Sequence, residues 1–166
     1  MDWRFDGDPP AMAYADANHG TGVDDKKSIT GVVVQVLNGP VSWASRVQPV
    51  TSTSTTESEF RALSETSREV LWIAKIINLF GIPSRPFLVR GDSSGAIGAI
   101  RNYQYTRHTK HIEIHHDFMK DRYENGDLTF KHVDGKSNPA GIFTKALEKR
   151  IFENFRISLG MACLRV

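Results

Sequence analysis

Three acidic residues stand where this chain changes from one element to the next. Asp92 closes the apolar run Phe87-Leu88-Val89-Arg90-Gly91 and opens a small-residue helical stretch, Ser93 to Ile100. Asp16 lies in Ala13-Tyr14-Ala15-Asp16-Ala17, and Glu59 in Thr55-Thr56-Glu57-Ser58-Glu59-Phe60. Acids at a strand, a helix and a strand end suit a hard divalent cation, which wants oxygen ligands converging from rigid elements. Mg²⁺-dependent phosphodiester hydrolysis is the chemistry such a set supports. Taken alone, Asp92 reads as a helix N-cap, and only the ordered company of Asp16 and Glu59 turns it into a metal candidate. Glu57 competes with Glu59 but falls about 200° away around the helix, so it is expected to be a solvated first-turn acid.

Other side chains carry weaker signals. His111 and His115 are four apart with Glu113 between them, but a zinc protease pattern needs the Glu directly after the first His, so these histidines are expected to be polar-face or nucleic-acid contacts. The basic and aromatic stretch Arg101 to His111 offers Arg101, Arg107 and Lys110 as candidate phosphate contacts; an ordinary solvated loop is the alternative. Trp43 and Trp72 are expected in core or rim packing.

The elements that must position these groups follow from pattern. Ala11 to Ala17, after Pro9-Pro10, reads as a strand. Ile29 to Leu37 is β-branched and ends at Asn38-Gly39-Pro40, and Val41 to Ser45 alternates, which predicts an antiparallel three-strand meander. The Ser/Thr tract Val50 to Thr56 starts a helix that runs at 3.6-residue spacing through Phe60, Leu63, Val70, Leu71, Ala74, Ile77 and Phe80 to Gly81-Ile82-Pro83. A fourth strand ends at Asp92, two helices follow (Ser93 to Ile100, Lys110 to Glu124), and Asp127 to Val133 alternates as a fifth strand. Ser137-Asn138-Pro139 then starts a last helix running continuously to Gly160. The fold class is α/β, a mixed five-strand sheet, meander plus parallel strands, flanked by helices.

The 166 residues suffice for one domain with its own core, and 40% apolar with 24% charged residues is ordinary globular composition. A net charge of +2 means any grip on nucleic acid rests on a local patch rather than a global field. The single cysteine, Cys163, excludes an internal disulfide and a Cys-based zinc site and fits an intracellular, reducing compartment. No apolar run reaches membrane-spanning length and no signal peptide profile opens the chain, so no membrane insertion is expected.

The element order and several motifs resemble the ribonuclease H domain of copia-type LTR retroelement polyproteins: Tyr14-Ala15-Asp16-Ala17, Asp25-Lys26-Lys27-Ser28-Ile29-Thr30-Gly31, Gly39-Pro40-Val41-Ser42-Trp43, Thr56-Glu57-Ser58-Glu59-Phe60, Thr109-Lys110-His111-Ile112-Glu113-Ile114 and Ile142-Phe143-Thr144-Lys145-Ala146-Leu147. The resemblance implies a domain over residues 11–160, with 1–10 as the tail of a preceding polyprotein segment and 161–166 as a C-terminal tail. It further implies a ribonuclease H-like fold, RNA–DNA hybrid as substrate, and Asp16, Glu59 and Asp92 as catalytic carboxylates around two Mg²⁺ ions, one activating water and one stabilising the leaving 3′ oxygen. Similar domains carry a fourth acid where this chain has Gly141; Asp134 and Glu148 are the nearby acids that would have to replace it. Two readings follow: a working or weakened hydrolase, and a domesticated, catalytically inactive copy serving as a nucleic-acid-binding module or as a subunit of a protein assembly.

Overall fold

The computed structural model describes residues 9–20, 26–82, 84–102 and 110–161. Its elements are β1 (Ala11–Asn18), β2 (Ile29–Val36), β3 (Gly39–Val47), α1 (Thr55–Leu79), β4 (Phe87–Gly91), α2 (Ser94–Asn102), α3 (Lys110–Glu124), β5 (Leu128–His132), two short 3₁₀ turns (Gly135–Ser137 and Pro139–Phe143) and α4 (Lys149–Ser158). The sheet order is β3-β2-β1-β4-β5. The meander β1-β2-β3 is antiparallel, and β4 and β5 add in parallel, as the pattern predicts.

β1 is central because it can be buried on both faces: Ala11, Ala13, Ala15 and Ala17 form a flat strip under α1, whose Phe60, Leu63, Val70, Ile73 and Ile77 fill the core with Val89, Ile100, Met119 and Phe130. A second, smaller cluster on the opposite face joins Val33, Ala140 and Leu159, with Tyr14, Ile142 and Phe143 packed on it. β2 and β3 are joined by Leu37 and Asn38, both at positive φ (52° and 65°), the two-residue turn whose twist matches a hairpin.

α1 starts where the Ser/Thr tract predicts. Ser54 is the N-cap, its hydroxyl accepting from the Glu57 N–H at 3.1 Å. Glu57 is not the solvated acid expected: it is buried, and it accepts from the N–H and hydroxyl of Thr53, each at 2.7 Å, and from Arg61 at 2.9 Å. It serves as the acidic half of a capping arrangement, which explains its burial without any metal. Phe80, expected on the apolar face, sits past the last helical turn as C-cap and is 77% exposed.

The last helix is not continuous. Pro139 to Phe143 form a 3₁₀ turn, and the α-helix begins only at Lys149. The carbonyls that would carry the helix onward are taken by other elements: Phe143 O accepts from Ser45 Oγ at 2.6 Å and Thr144 O from Asn18 Nδ2 at 3.0 Å, both in the sheet. Tertiary hydrogen bonds thus override a helical hydrophobic pattern. Of the core and rim positions expected for Trp43 and Trp72, the core is excluded, each being 61% exposed. Trp43 stands on the outward face of β3, where with Val33, Pro40, Phe143 and Phe152 it lines an apolar groove of about 420 Å³.

Candidate metal centre

The register of the parallel pair β1/β4 decides where the acids meet. Met12 lies beside Leu88, Ala13 beside Val89 and Tyr14 beside Arg90. Carrying that offset two residues on sets Asp16 beside Asp92 at the carboxyl end of both strands. Glu59, on the second turn of α1, reaches the same end, where its Oε1 accepts from the Ala17 N–H at 3.2 Å. One carboxylate oxygen from each of Asp16, Glu59 and Asp92 lies within 4.8 Å of the others. Asp16 and Glu59 are buried and Asp92 is half-buried, open to one side. The capping task near Asp92 belongs to its neighbour: Ser93 Oγ accepts from the Ala96 N–H at 3.1 Å, and Ser93 O accepts the first helical bond, from Ile97. Asp92 is thereby free of the bland role it would have had alone.

The charge of the site is only partly compensated by the chain. Burial first, then the charges of Asp92 and Asp16, push the Glu59 carboxyl up to about 8, against a smaller opposing pull from the Ala17 N–H and Lys145. Asp92 is raised too, by burial and by Asp16. Three carboxylates this close ionise together only with a cation among them, and oxygen donors of this density match a hard divalent ion. The donor set therefore fits Mg²⁺.

The segment after β5 closes the site and holds residues that pattern alone did not single out. Thr144 donates its hydroxyl to Asp16 Oδ2, and Lys145 Nζ lies 3.4 Å from both oxygens of Asp16. Asn138, fully buried, donates to Ala15 O at 2.8 Å and anchors the 3₁₀ turn onto β1. Gly31, the β2 partner of Asp16, makes room for that turn: a Cβ there would stand 2.5 Å from Ala140 O and 2.7 Å from Thr144 Cγ2. Gly31 and Thr144-Lys145 lie in two of the motifs that carried the resemblance, which was the available signal. Gly141 borders the cluster, buried, with its open side toward Asp16 and the Lys145 stem. Neither Asp134 nor Glu148 belongs to the group of three acids that converge. Asp134 is exposed and accepts from the Lys136 N–H at 2.8 Å, and Glu148 is the exposed residue before α4.

Of the candidate phosphate contacts, Arg101 is exposed at the end of α2, its guanidinium 5.1 Å from the centre of the Tyr123 ring. Arg107 lies outside the described residues, and Lys110 is placed only as the first residue of α3. His115 bonds Ser64 at 2.8 Å, and Asp16, Glu59 and Asp92 form the one metal-capable group of three among the described residues.

No family model matches the chain. Among curated proteins it is 30% identical over 154 residues to the retrovirus-related Pol polyprotein from transposon TNT 1-94 of Nicotiana tabacum, covering 93% of this chain and 12% of that protein. It is 33% identical over 150 residues to the Pol polyprotein from transposon RE1 of Arabidopsis thaliana, covering 90% of this chain and 10% of that one. The chain thus spans about a tenth of the length of these relatives. Among solved structures it is similar to the RNase H1 LC11, isolated from compost, with a TM-score of 0.58 and 18% identity over 81% of this chain and 91% of that one. A second structure holds LC11-RNase H1 in complex with an RNA/DNA hybrid, at a TM-score of 0.55 and 15% identity over 77% of this chain and 88% of that one.

The chain is a ribonuclease H-like domain related to retrotransposon Pol polyproteins. That agrees with the element order and the motifs, and it rests on two independent likenesses, one of sequence along nearly the whole chain and one of fold. Among the described residues no helix is long and apolar enough to cross a membrane.

Proposed function

We propose that this ribonuclease H-like domain, of the copia branch of retroelements, acts inside the cell as a weakened Mg²⁺-dependent hydrolase of the RNA strand in RNA–DNA hybrids. The observation that carries the reading is the convergence of Asp16, Glu59 and Asp92 within 4.8 Å from β1, α1 and the end of β4. Asp16, Glu59 and Asp92 would hold Mg²⁺. Bound there, it would supply a stronger water nucleophile and offset charge building on the scissile phosphate. Thr144 fixes one oxygen of Asp16 and the Ala17 N–H fixes one of Glu59, so two of the three ligands are held in place before any cation arrives. Half-buried Asp92 keeps part of the cluster at the surface, where a phosphodiester would reach it. Arg101 offers a positive charge for the backbone of the bound strand.

Weakness follows from Gly141, which brings no fourth carboxylate to the side of Asp16 that it borders. Only one ion would then be held firmly, and the support a second would give to the leaving oxygen would be weakened. The same feature favours a rival: with Lys145 beside Asp16, part of the cluster's charge is balanced without metal, as a purely nucleic-acid-binding or structural module would need. Cleavage of an end-labelled hybrid, with and without Mg²⁺, in the natural chain, Gly141→Asp and Asp92→Asn separates the two. The hydrolase reading expects slow Mg²⁺-dependent cleavage, faster in Gly141→Asp and absent in Asp92→Asn. Absence of cleavage in all three, with hybrid binding intact, establishes the rival.

A further inference from the structure

The side of the metal centre toward the 3₁₀ turn is filled by a cation belonging to the chain. Lys145 Nζ is 3.4 Å from each oxygen of Asp16, which is 1% exposed, while the lysine side chain keeps 40% of its own surface in solvent. The path it takes is the space beside Gly141: a Cβ at position 141 would stand 3.4 Å from Lys145 Cε and 3.9 Å from Asp16 Oδ2. The backbone just before Lys145 is pinned, by Ser45 on Phe143 O, by Asn18 on Thr144 O and by the Thr144 hydroxyl on Asp16. Its stem therefore starts from a fixed point, and only its flexible end is free to swing.

We infer that Lys145 is a resident counter-cation, its ammonium occupying the Gly141 side of Asp16 in the metal-free protein and competing there with a divalent ion. This rests on the metal reading proposed above and adds to it a regulator of cation affinity. Three observations bear on it. The ammonium touches both oxygens of Asp16, so a divalent ion drawing on that carboxylate meets a like charge at close range. The lysine is partly solvated, so it has somewhere to go when displaced. Its charge also reaches Glu59 and Asp92, where it opposes the rise that burial, and then the neighbouring carboxylates, impose on both.

The competition is expected to be moderate. At contact distance and an effective dielectric constant of about 20, a unit charge would alter the affinity of a monovalent ion by roughly a thousandfold and that of a divalent ion by roughly the square of that, but a partly solvated, mobile ammonium is screened far below either. Removing it should tighten divalent binding by about tenfold.

The test is Mn²⁺ binding by titration calorimetry, with the melting temperature in chelator and in saturating Mn²⁺, for the natural chain, Lys145→Met and Lys145→Arg. Lys145→Met should bind Mn²⁺ about tenfold more tightly, melt lower in chelator, and gain more from Mn²⁺. Lys145→Arg, keeping the charge, should stay within about twofold of the natural chain. Saturable Mn²⁺ binding of equal affinity in all three overturns the proposal and leaves the metal reading standing. No saturable binding in any of them overturns both.

Discussion

A Cβ built on Gly141 would stand 3.9 Å from Oδ2 of Asp16, with an ordinary backbone conformation and no main-chain atom in its way. That Cβ would meet the Lys145 stem at 3.4 Å and the Phe155 ring at 3.8 Å, close to ordinary contact, and the lysine end, which is partly solvated, can move aside for the carboxylate. Gly141→Asp is therefore expected to fold, to tighten Mg²⁺ binding by about tenfold or more, and to raise hybrid cleavage by a similar factor. Calorimetry and single-turnover cleavage check this. Unchanged binding and rate would mean that the position facing Asp16 has no part in cation binding.

Glu57 and Glu59 are two residues apart and should respond oppositely. Glu57 is a hydrogen-bonded cap acid, so Glu57→Ala should destabilise the fold by about 1 kcal/mol or more while leaving metal affinity intact. Glu59→Gln should abolish firm Mg²⁺ binding but raise the metal-free melting temperature, because it removes a buried acid repelled by Asp92 and Asp16. Paired thermal melts with and without Mg²⁺ read both effects. A lower metal-free melting temperature for Glu59→Gln would show that the cluster is not under repulsion.

The pH dependence has a definite sign. In the unfolded chain the Glu59 carboxyl ionises in the ordinary range, near 4.5, whereas in the fold it keeps its proton up to about 8. Between those values the folded state holds a proton that the unfolded state releases, so stability is greatest at the acid end of the window and is lost as pH rises toward 8. Asp92, raised as well, adds in the same direction. In chelator the melting temperature should fall between about pH 5 and pH 8, and saturating Mg²⁺ should flatten that fall. A melting temperature that rises with pH over this window would contradict the arrangement.

How far the site could be read in advance depended on whether local pattern or tertiary bonding set the outcome. Asp16 and Asp92 were legible because strand register is carried by alternation and turn placement, and a shared offset brings the two ends together. Glu59 was legible against Glu57 by helical angle, but the fate of Glu57 was not, since Thr53 and Arg61 supply partners that no periodicity announces. The break between Pro139–Phe143 and α4 was hidden for the same reason: Ser45 and Asn18 claim the carbonyls needed to continue the helix. The approach of Lys145 to Asp16 depends on that break. Whether Trp43 would fall in the core or on the rim was not legible, because alternation says which residues share a face of β3, not which face another layer covers; it lies on the rim.

The last prediction concerns the hybrid. The chain's net charge is only +2, so affinity must come from a few placed cations, and Arg101 is exposed where α2 ends. Each phosphate a cation neutralises releases condensed counterions, which makes binding weaken with salt by roughly 0.9 logarithmic units of affinity per logarithmic unit of salt for each contact on a duplex. Arg101→Glu, Arg107→Glu and Lys110→Glu, singly, should each reduce that slope by about one contact and lower affinity at low salt. None should alter Mn²⁺ binding, because Asp16, Glu59 and Asp92 converge at the strand ends and take no ligand from these residues. Fluorescence anisotropy of a labelled hybrid across a salt series measures the slope, and calorimetry checks the metal centre independently. If all three variants bind hybrid with an undiminished slope, the backbone is held by another face of the domain. If the natural chain binds no hybrid even at low salt while still binding Mn²⁺, the metal centre stands without its proposed substrate.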